Sequence, residues 1–244
     1  MKKIQIILII LFTSQLSIGQ IVLPAYQGTF YSQNCDCGIV YDYDGNIYNT
    51  IIIGNQCWMK ENLKTTHYSD GTEIPVGNIC DYENNPTYSD TYGKLYTWAG
   101  IMNGELSSNT NPSNIQGVCP VGWHLPSDSE WIELEVFLGM STADANLDAQ
   151  LRGDIGGKLK EVGTTHWTTP NTGATNESGF TALPGGTRNN VGTYSGIGLY
   201  NAFWSATESN SIQSQYRLIY YDNTAIWRGP HMKVDAKSIR CIKD

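Results

Sequence analysis

Six cysteines constrain the fold of this chain more than any other feature of its sequence. They are Cys35, Cys37, Cys57, Cys80, Cys119 and Cys241. An even number of cysteines in an exported chain predicts disulfide bonds, although the spacing alone leaves many pairings open. A metal cluster is the weaker alternative, because Cys35-Asp36-Cys37 lacks the two-residue gap of zinc knuckles and no second pair follows it.

The first twenty residues predict that the chain is exported. A basic start, Met1-Lys2-Lys3, precedes an apolar run over 4–12 and a more polar stretch that ends at Gln20. This order is typical of a secretory signal peptide. The apolar run is shorter than the roughly 20 residues that span a bilayer, so a membrane anchor is the less favoured alternative. We expect a signal peptide over 1–20, a lead segment over 21–38 and one domain over 39–244.

The charge of the chain argues against nucleic acid as a partner. The net charge is −8, and it becomes −10 when Lys2 and Lys3 leave with the signal peptide. A basic surface would be needed to displace phosphate counterions. An acidic surface can attract divalent cations instead, so a weak calcium site at Asp70, Asp81 and Asp90 is possible, while no other cofactor is expected.

A β-hairpin is predicted near the start of the domain. The turn dipeptide Asp44-Gly45 separates two strand-like segments, at 40–42 and 47–51. The same residues resemble the start of a calcium-binding loop. Such a loop requires Glu at its twelfth position, counted here from Asp42, and that position is Ile53. The turn is therefore the favoured interpretation.

One helix is clearly marked, and the rest of the chain is rich in strands and loops. Ser127 and Glu130 form a capping-box motif, which predicts a helix that ends at Gly139. A shorter helix is expected over 143–151. Strand-like alternation occurs at 216–220, 225–227 and 238–242, and residues 67–118 have the composition of long docked loops. The expected fold is a single α+β domain with one or two short helices and antiparallel strands.

Eight phrases of the sequence, in order, carry a family resemblance. They are Asp44-Gly45-Asn46-x-Tyr48, Ile53-Gly54-Asn55-Gln56-x-Trp58-Met59-x-Glu61-Asn62-Leu63, Tyr92-Gly93-x-Leu95-Tyr96-x-Trp98, Cys119-Pro120-x-Gly122-Trp123-His124-Leu125-Pro126, Gly156-Gly157-x-Leu159-Lys160, Gly179-Phe180-x-Ala182-Leu183-Pro184, Phe203-Trp204-Ser205-x-Thr207-Glu208 and Ser238-x-Arg240-Cys241. From about residue 39 to the end, the chain resembles the Fibrobacter succinogenes major paralogous domain, a family of exported bacterial proteins.

The resemblance implies a fold similar to C-type lectin-like and formylglycine-generating-enzyme domains, with no settled activity. In such a fold the helix entry and the closing strand lie together, which implies a disulfide between Cys119 and Cys241. A second disulfide, between Cys57 and Cys80, is expected because both cysteines lie beside family phrases. Cys35 and Cys37 would then bridge each other or pair outside the domain. The copper-binding cysteines of formylglycine-generating enzymes are not matched, since Cys241 is the only cysteine late in the chain.

No motif predicts catalysis. The four histidines, His67, His124, His166 and His231, lie outside any Gly-x-Ser-x-Gly or His-Glu-x-x-His motif. We expect His124 to be a packed or capping residue. A glycan-degrading enzyme with an unrecognised carboxylate pair remains the alternative. The candidate acids for that pair are Glu61, Glu208, Asp222 and Asp235.

The candidate ligand surface is an aromatic and polar segment between two family phrases. It comprises Tyr220, Tyr221, Asp222, Asn223, Trp227 and Arg228. Aromatic and Arg side chains are enriched at recognition surfaces, which favours a glycan or a cell-surface protein as the ligand. The alternative is that Tyr220 and Trp227 pack into the core of a hairpin that turns at 222–224. The sequence thus predicts an exported, non-catalytic binding or adhesion module.

Overall fold

A computed structural model describes residues 37–244 of the chain. The predicted signal peptide and most of the lead segment lie outside the described residues. The strands are β1 Val40–Tyr41, β2 Ile47–Tyr48, β3 Thr50–Ile53, β4 Gln56–Met59, β5 Ile79–Cys80, β6 Leu95–Tyr96, β7 Trp123–His124, β8 Gln150–Arg152, β9 Gly185–Arg188, β10 Tyr194–Ile197, β11 Tyr200–Asn210, β12 Gln213–Tyr220, β13 Ile226–Met232 and β14 Ile242–Lys243. The helices are α1 Pro86–Tyr92, α2 Trp98–Met102, α3 Asp128–Phe137, α4 Thr142–Ala145 and α5 Gly156–Leu159, with a 3-10 turn at Tyr82–Asn84.

Two larger sheets and two hairpins make up the β structure of residues 37–244. The six-stranded sheet has the order β10-β9-β11-β12-β13-β8, and the four-stranded sheet has the order β3-β4-β14-β7. The hairpins are β1–β2 and β5–β6. Pairing between these strands is antiparallel except where β9 meets β11, at Gly186 and Asn201. Short helices beside mostly antiparallel sheets make the fold α+β, as expected.

The six-stranded sheet separates two apolar cores. Neighbouring residues of a strand point to opposite faces of its sheet, as Phe203 and Trp204 on β11 illustrate. Trp204 joins a core that includes Trp98 and the Cys119–Cys241 pair. Phe203 joins the other core, where Trp131 is fully buried.

Helix α3 covers one face of the six-stranded sheet. The side chain of Ser127 accepts a hydrogen bond from the Glu130 amide, and the side chain of Glu130 accepts one from the Ser127 amide, which confirms the capping box. Trp131 and Leu134 are fully buried. The ring of Trp131 lies 5.6 Å from that of Phe203 on β11. Asp128 and Glu135 of α3 contact arginines of the sheet.

The turn at Asp44-Gly45 is confirmed, but the second strand of the hairpin is shorter than predicted. Residues 47–51 divide between β2, which pairs with β1, and β3, which pairs with β4 in another sheet. The Asp42 carboxylate accepts hydrogen bonds from the Asn46 amide at 2.9 Å and the Tyr48 hydroxyl at 2.5 Å. Its oxygens thus close the turn.

The number of helices was wrong in the sequence prediction. The described residues contain five helices, not one or two, and three of them have four or five residues. Helices of about one turn leave little periodicity to detect, and two of the three are capped by Thr97 and Ser141. The predicted helix over 143–151 is also wrong, because α4 ends at Ala145 and Gln150–Arg152 forms β8, which pairs with β13.

One predicted disulfide is present and one is not. Cys119 and Cys241 are bonded with Cα atoms 5.9 Å apart, and a loop of this length contributes about 4–5 kcal/mol by chain entropy. The Cys57–Cys80 pairing is wrong, because Cys57 is bonded to Cys37. The Cys37 amide donates to Thr50 Oγ1, which holds this end of the chain beside β3 and β4, whereas Cys80 lies in the β5–β6 hairpin. Within residues 37–244, Cys80 forms no disulfide.

Bonding of Cys37 to Cys57 also excludes a Cys35–Cys37 ring, which was one of the two alternatives for these cysteines. No helix of the described residues has the length and apolar composition needed to cross a membrane.

Candidate functional site

The proposed ligand residues lie in one hairpin, but they do not form one surface. Tyr220 ends β12, and Trp227 and Arg228 lie in β13. In the ladder, Trp227 is opposite Leu218 and Arg228 is opposite Arg217. Because successive side chains alternate across a sheet, Trp227 and Arg228 point to opposite faces. The structure brings Tyr220 and Trp227 together on one face and places Arg228 on the other.

The face that carries Tyr220 and Trp227 is aromatic and partly exposed. We define the aromatic face by five side chains on four adjacent strands: Leu151, Tyr200, Leu218, Tyr220 and Trp227. The rings of Tyr200 and Tyr220 meet edge to face at 6.0 Å. Leu151 continues the row beyond Trp227 and is 45% exposed. All three aromatic rings are half-buried, so each has one part in the core and one part in solvent.

Two glycines shape the aromatic face. A Cβ atom at Gly196 would lie 2.1 Å from the Tyr200 ring, and the φ of Gly196 is +87°, so only glycine fits here without strain. A Cβ atom at Gly229 would lie 3.0 Å from Trp227 Nε1. The lack of a side chain at these two positions lets the rings approach the neighbouring backbone closely. The Tyr200 hydroxyl is hydrogen-bonded to Ser195 Oγ at 2.7 Å, which fixes the orientation of this ring.

The opposite face, which we call the ionic face, is closed by charge pairs with α3. It comprises Asp128 and Glu135 of α3 with Arg152, Arg217 and Arg228 of the sheet. Asp128 accepts from Arg217 at 2.7 Å and from Arg228 at 2.6 Å. Glu135 accepts from Arg152 at 2.8 Å and from Arg217 at 2.5 Å. Burial alone would raise the pKa of Asp128, but the two guanidinium groups outweigh it and lower that pKa to about 2. The charges of Arg228 are therefore satisfied within the domain.

The remaining proposed residues form the turn of the hairpin. The main chain of Tyr221 accepts from the Thr172 amide at 2.7 Å, and Asn223 Oδ1 accepts from the Ala225 amide at 3.0 Å. Both residues support the turn, while Asp222 is exposed. Lys160 organises this region, although the sequence did not single it out.

Lys160 is a fully buried cation without a carboxylate partner among the described residues. Its ammonium donates to the carbonyl oxygens of Thr172, Tyr220 and Asn223 at 2.8–3.0 Å. Burial lowers its pKa to about 8. Its one signal in the sequence is its place at the end of the family phrase Gly156-Gly157-x-Leu159-Lys160. These three hydrogen bonds of Lys160 hold the turn that carries Tyr220 and Asp222.

A comparison with protein families decides the classification. The profile of the Fibrobacter succinogenes major domain matches residues 51–243. The chain belongs to this family. Comparisons with curated proteins and with solved structures found no match. The description of the family names no biochemical activity, so the chemistry of the site follows from the residues of this domain.

The acids considered for hydrolysis are not brought together in this Fibrobacter succinogenes major domain. Glu208 is paired with Lys233 at 2.5 Å, and Asp235 with His231 at 2.9 Å. Glu61 accepts two hydrogen bonds from Asn49, both at 2.8 Å. Each of these carboxylates therefore has its own structural partner.

Glu61 does share a small cavity with another acid. The cavity has a volume of about 220 Å³ and is lined by Glu61, Glu161, Lys60 and Arg240, among others. Glu161 is also engaged, since its carboxylate contacts His166 Nδ1 at 2.8 Å. Ligand pockets commonly measure about 300–1,000 Å³, so this space is small for a sugar substrate.

His124 is a buried structural residue, as expected. Its Nε2 lies 2.7 Å from Glu130 Oε1 and its Nδ1 lies 2.7 Å from Asp244 Oδ1. Burial alone would lower the pKa of His124, but the two carboxylates outweigh it and raise that pKa. The imidazolium ties the last residue of the chain to the start of α3.

The acids considered for calcium are separately engaged. The Asp81 carboxylate is bound by Lys94 and Ser89, and Asp70 Oδ1 accepts from the Thr72 amide at 2.8 Å. Asp90 is exposed on α1. Over the described part of the chain, no three His, Cys, Asp or Glu side chains are grouped as metal ligands.

Proposed function

We propose that this chain is an exported, non-catalytic glycan-binding module, and that its aromatic face contacts the sugar. The observation that carries the proposal is the presence of three half-buried rings, Tyr200, Tyr220 and Trp227, on one face of the six-stranded sheet. In this proposal the residues expected from the sequence have different roles. Tyr220 and Trp227 contact the ligand, whereas Tyr221, Asn223 and Arg228 hold the hairpin.

The physical basis is the match between aromatic rings and the apolar faces of sugars. Strands lie about 4.8 Å apart, so rings on neighbouring strands can pack against successive parts of an extended glycan. Each ring is already ordered by its buried part, so little conformational entropy is lost on binding. The exposed Asp222 carboxylate follows Tyr220 in the turn and would accept hydrogen bonds from sugar hydroxyl groups.

Other features support binding over catalysis and export over a cytoplasmic location. Among the described residues, every carboxyl group with a clearly shifted pKa has a lowered one, whereas a general acid requires a raised pKa. These groups are Asp44, Asp70, Asp81 and Asp128. Two disulfides are typical of proteins in oxidising compartments, which supports a signal peptide over 1–20. A C-type lectin-like arrangement of the domain is part of the same proposal.

The test is depletion of the purified protein by insoluble polysaccharides, such as cellulose, chitin, xylan and mannan, together with a soluble glycan array. Trp227→Ala, Tyr220→Ala and Tyr200→Ala should each weaken binding at least about tenfold, which corresponds to about 1.4 kcal/mol. Tyr41→Ala is the matched control, because Tyr41 is 59% exposed but lies in the β1–β2 hairpin.

The proposal fails if a glycan ligand is found and the three aromatic variants bind it like the unmodified protein. Binding to a cell-surface protein through the same three rings, with no glycan bound, would move the ligand to the other class expected from the sequence.

The alternative function is glycan hydrolysis, favoured by the single observation that Glu61 and Glu161 share a cavity. An enzyme would release reducing sugar from one of the same polysaccharides. Glu61→Gln and Glu161→Gln should each abolish that release, whereas Glu133→Gln, a substitution on α3, should not. Absence of release by the unmodified protein would remove this alternative.

A further inference from the structure

A second concave site lies apart from the aromatic face. It is a cleft of about 520 Å³ between α2 and four loop segments, and it shares no lining residue with the aromatic face. Its lining is formed by Gly77, Asn78, Thr97, Trp98, Ala99, Met102, Gly104, Glu105, Ser211, Lys233 and Val234. The volume lies within the range that is usual for ligand pockets.

The floor of the cleft is apolar, and its one cation is neutralised within the domain. Trp98 and Met102 form the base, and Trp98 Nε1 donates to the Ser205 carbonyl at 3.0 Å. The Lys233 ammonium lies 4.2 Å from the Trp98 ring centre and 2.5 Å from the Glu208 carboxylate. No cation is left over to recognise an anionic ligand.

Four exposed aliphatic residues lie in the chain segments that line the cleft. Val76, Leu106, Ile212 and Val234 each line the cleft or directly follow or precede a residue that does, and their exposed fractions are 103%, 86%, 59% and 52%. They come from four separate segments of the chain. Single exposed aliphatic residues are ordinary, but four in the segments that line one cleft favour an interaction site.

The charges at the cleft specify the partner further. Glu105 lines the cleft and has no basic partner among the described residues, whereas Glu208 beside the cleft is paired with Lys233. The excess carboxylate, in a chain of net charge −8, disfavours an anionic membrane surface. It favours a partner that presents a positive charge next to its apolar group.

We propose that this cleft is the docking site for a partner polypeptide that inserts one bulky apolar side chain, flanked by basic residues. The apolar side chain packs against Trp98 and Met102, the four aliphatic residues extend the contact, and the basic residues face Glu105. Such an apolar anchor is the usual centre of a protein interface. The proposal does not depend on glycan binding by the aromatic face.

The test uses three capped peptides and nuclear magnetic resonance of the Trp98 indole group in the full domain. The peptides are Gly-Lys-Phe-Lys-Gly, Gly-Glu-Phe-Glu-Gly and Gly-Lys-Ser-Lys-Gly. The first should bind saturably at millimolar concentration and shift the Trp98 signal, and the other two should bind at least about tenfold more weakly. Ala99→Trp should block the cleft, because Ala99 is exposed and lines it, so the larger side chain fills the cavity without entering the core.

Two further variants make the result decisive. Leu106→Ser and Ile212→Ser should each weaken binding of the Lys-Phe-Lys peptide several-fold, and Tyr220→Ala should leave it unchanged. The proposal is overturned if no peptide binds, if the three peptides bind equally, or if Ala99→Trp has no effect on binding. Vesicles of anionic lipid that bind through the same four aliphatic residues, in the absence of peptide binding, would also overturn it.

Discussion

The two faces of the six-stranded sheet have different roles, although the same strands contribute side chains to both. On the ionic face, Arg217 and Arg228 are held by the carboxylates of α3 and are withdrawn from solvent. On the aromatic face, Tyr220 and Trp227 come from the same two strands but keep part of each ring exposed. Alternation along β12 and β13 separates these sets one residue at a time. The charged residues serve the fold, and the aromatic residues remain available for recognition.

The largest expected effect is on the ionic face. Glu135→Gln keeps the shape of the side chain but removes the charge that pairs with Arg152 and Arg217. The side chains of both arginines are fully buried in the native domain. Breaking a buried pair in this way costs about 3–5 kcal/mol. The free energy of unfolding in urea should fall by that amount. Glu133→Gln on the same helix is the control, with a loss below about 1 kcal/mol. Equal losses for the two variants would contradict a special role for the ionic face.

The second-largest expected effect is a pH dependence of the free energy of unfolding that arises from the ionic face. The pKa of Asp128 is lowered to about 2 in the folded domain from an ordinary value of 3.8. Its contribution, about 2 kcal/mol, is therefore complete above pH 4 and is lost as the pH falls through about 2. Urea unfolding from pH 5 to pH 2 should show a shallower loss for Asp128→Asn than for the unmodified protein. Parallel pH profiles would show that Asp128 has no such linkage.

On the aromatic face, stability and binding should separate. Trp227→Ala removes a half-buried ring and should cost about 1–2 kcal/mol of stability, whereas Trp131→Ala in the core should cost about 3–5 kcal/mol. The same Trp227→Ala variant should lose most of its glycan affinity. Urea unfolding and polysaccharide depletion measure the two effects on one sample. A Trp227→Ala variant as unstable as Trp131→Ala would make this ring part of the core.

The smallest expected effect is at the turn. Asp222→Asn changes an exposed carboxylate, so stability should change by less than about 0.5 kcal/mol. If Asp222 accepts hydrogen bonds from sugar hydroxyls, affinity should fall by about 1 kcal/mol, or roughly fivefold. A titration with the best glycan from the depletion experiment measures this change. An unchanged affinity would restrict the contact surface to the three aromatic rings.

Local signals in the sequence predicted the parts of the fold that depend on neighbouring residues. The capping box at Ser127 and Glu130 and the Asp44-Gly45 turn follow from hydrogen bonds over three or four positions. The pairing of Cys119 with Cys241 came from the family resemblance. The pairing of Cys57 failed because proximity to family phrases says nothing about which sheet a cysteine joins.

The separation of the candidate site residues onto two faces of the sheet was harder to predict from the sequence. Alternation alone places Trp227 and Arg228 on opposite faces, but the sequence does not show which face α3 covers. Arg217 and Asp128 are 89 positions apart. Tyr200 was missed because its neighbour Tyr220 is brought to it only by strand pairing. Lys160 was missed because its partners are main-chain carbonyls, which have no sequence signature.

The most direct test of the central claim is a nuclear magnetic resonance titration of the protein with its seven tryptophan indole groups labelled with nitrogen-15. A soluble oligosaccharide from the polysaccharide that depletes the protein serves as the ligand. The account predicts that the Trp227 indole signal shifts progressively and saturates, while the Trp131 signal beneath the ionic face stays in place. Shifts at Trp131 without shifts at Trp227, or saturable binding that moves neither signal, would contradict recognition by the aromatic face.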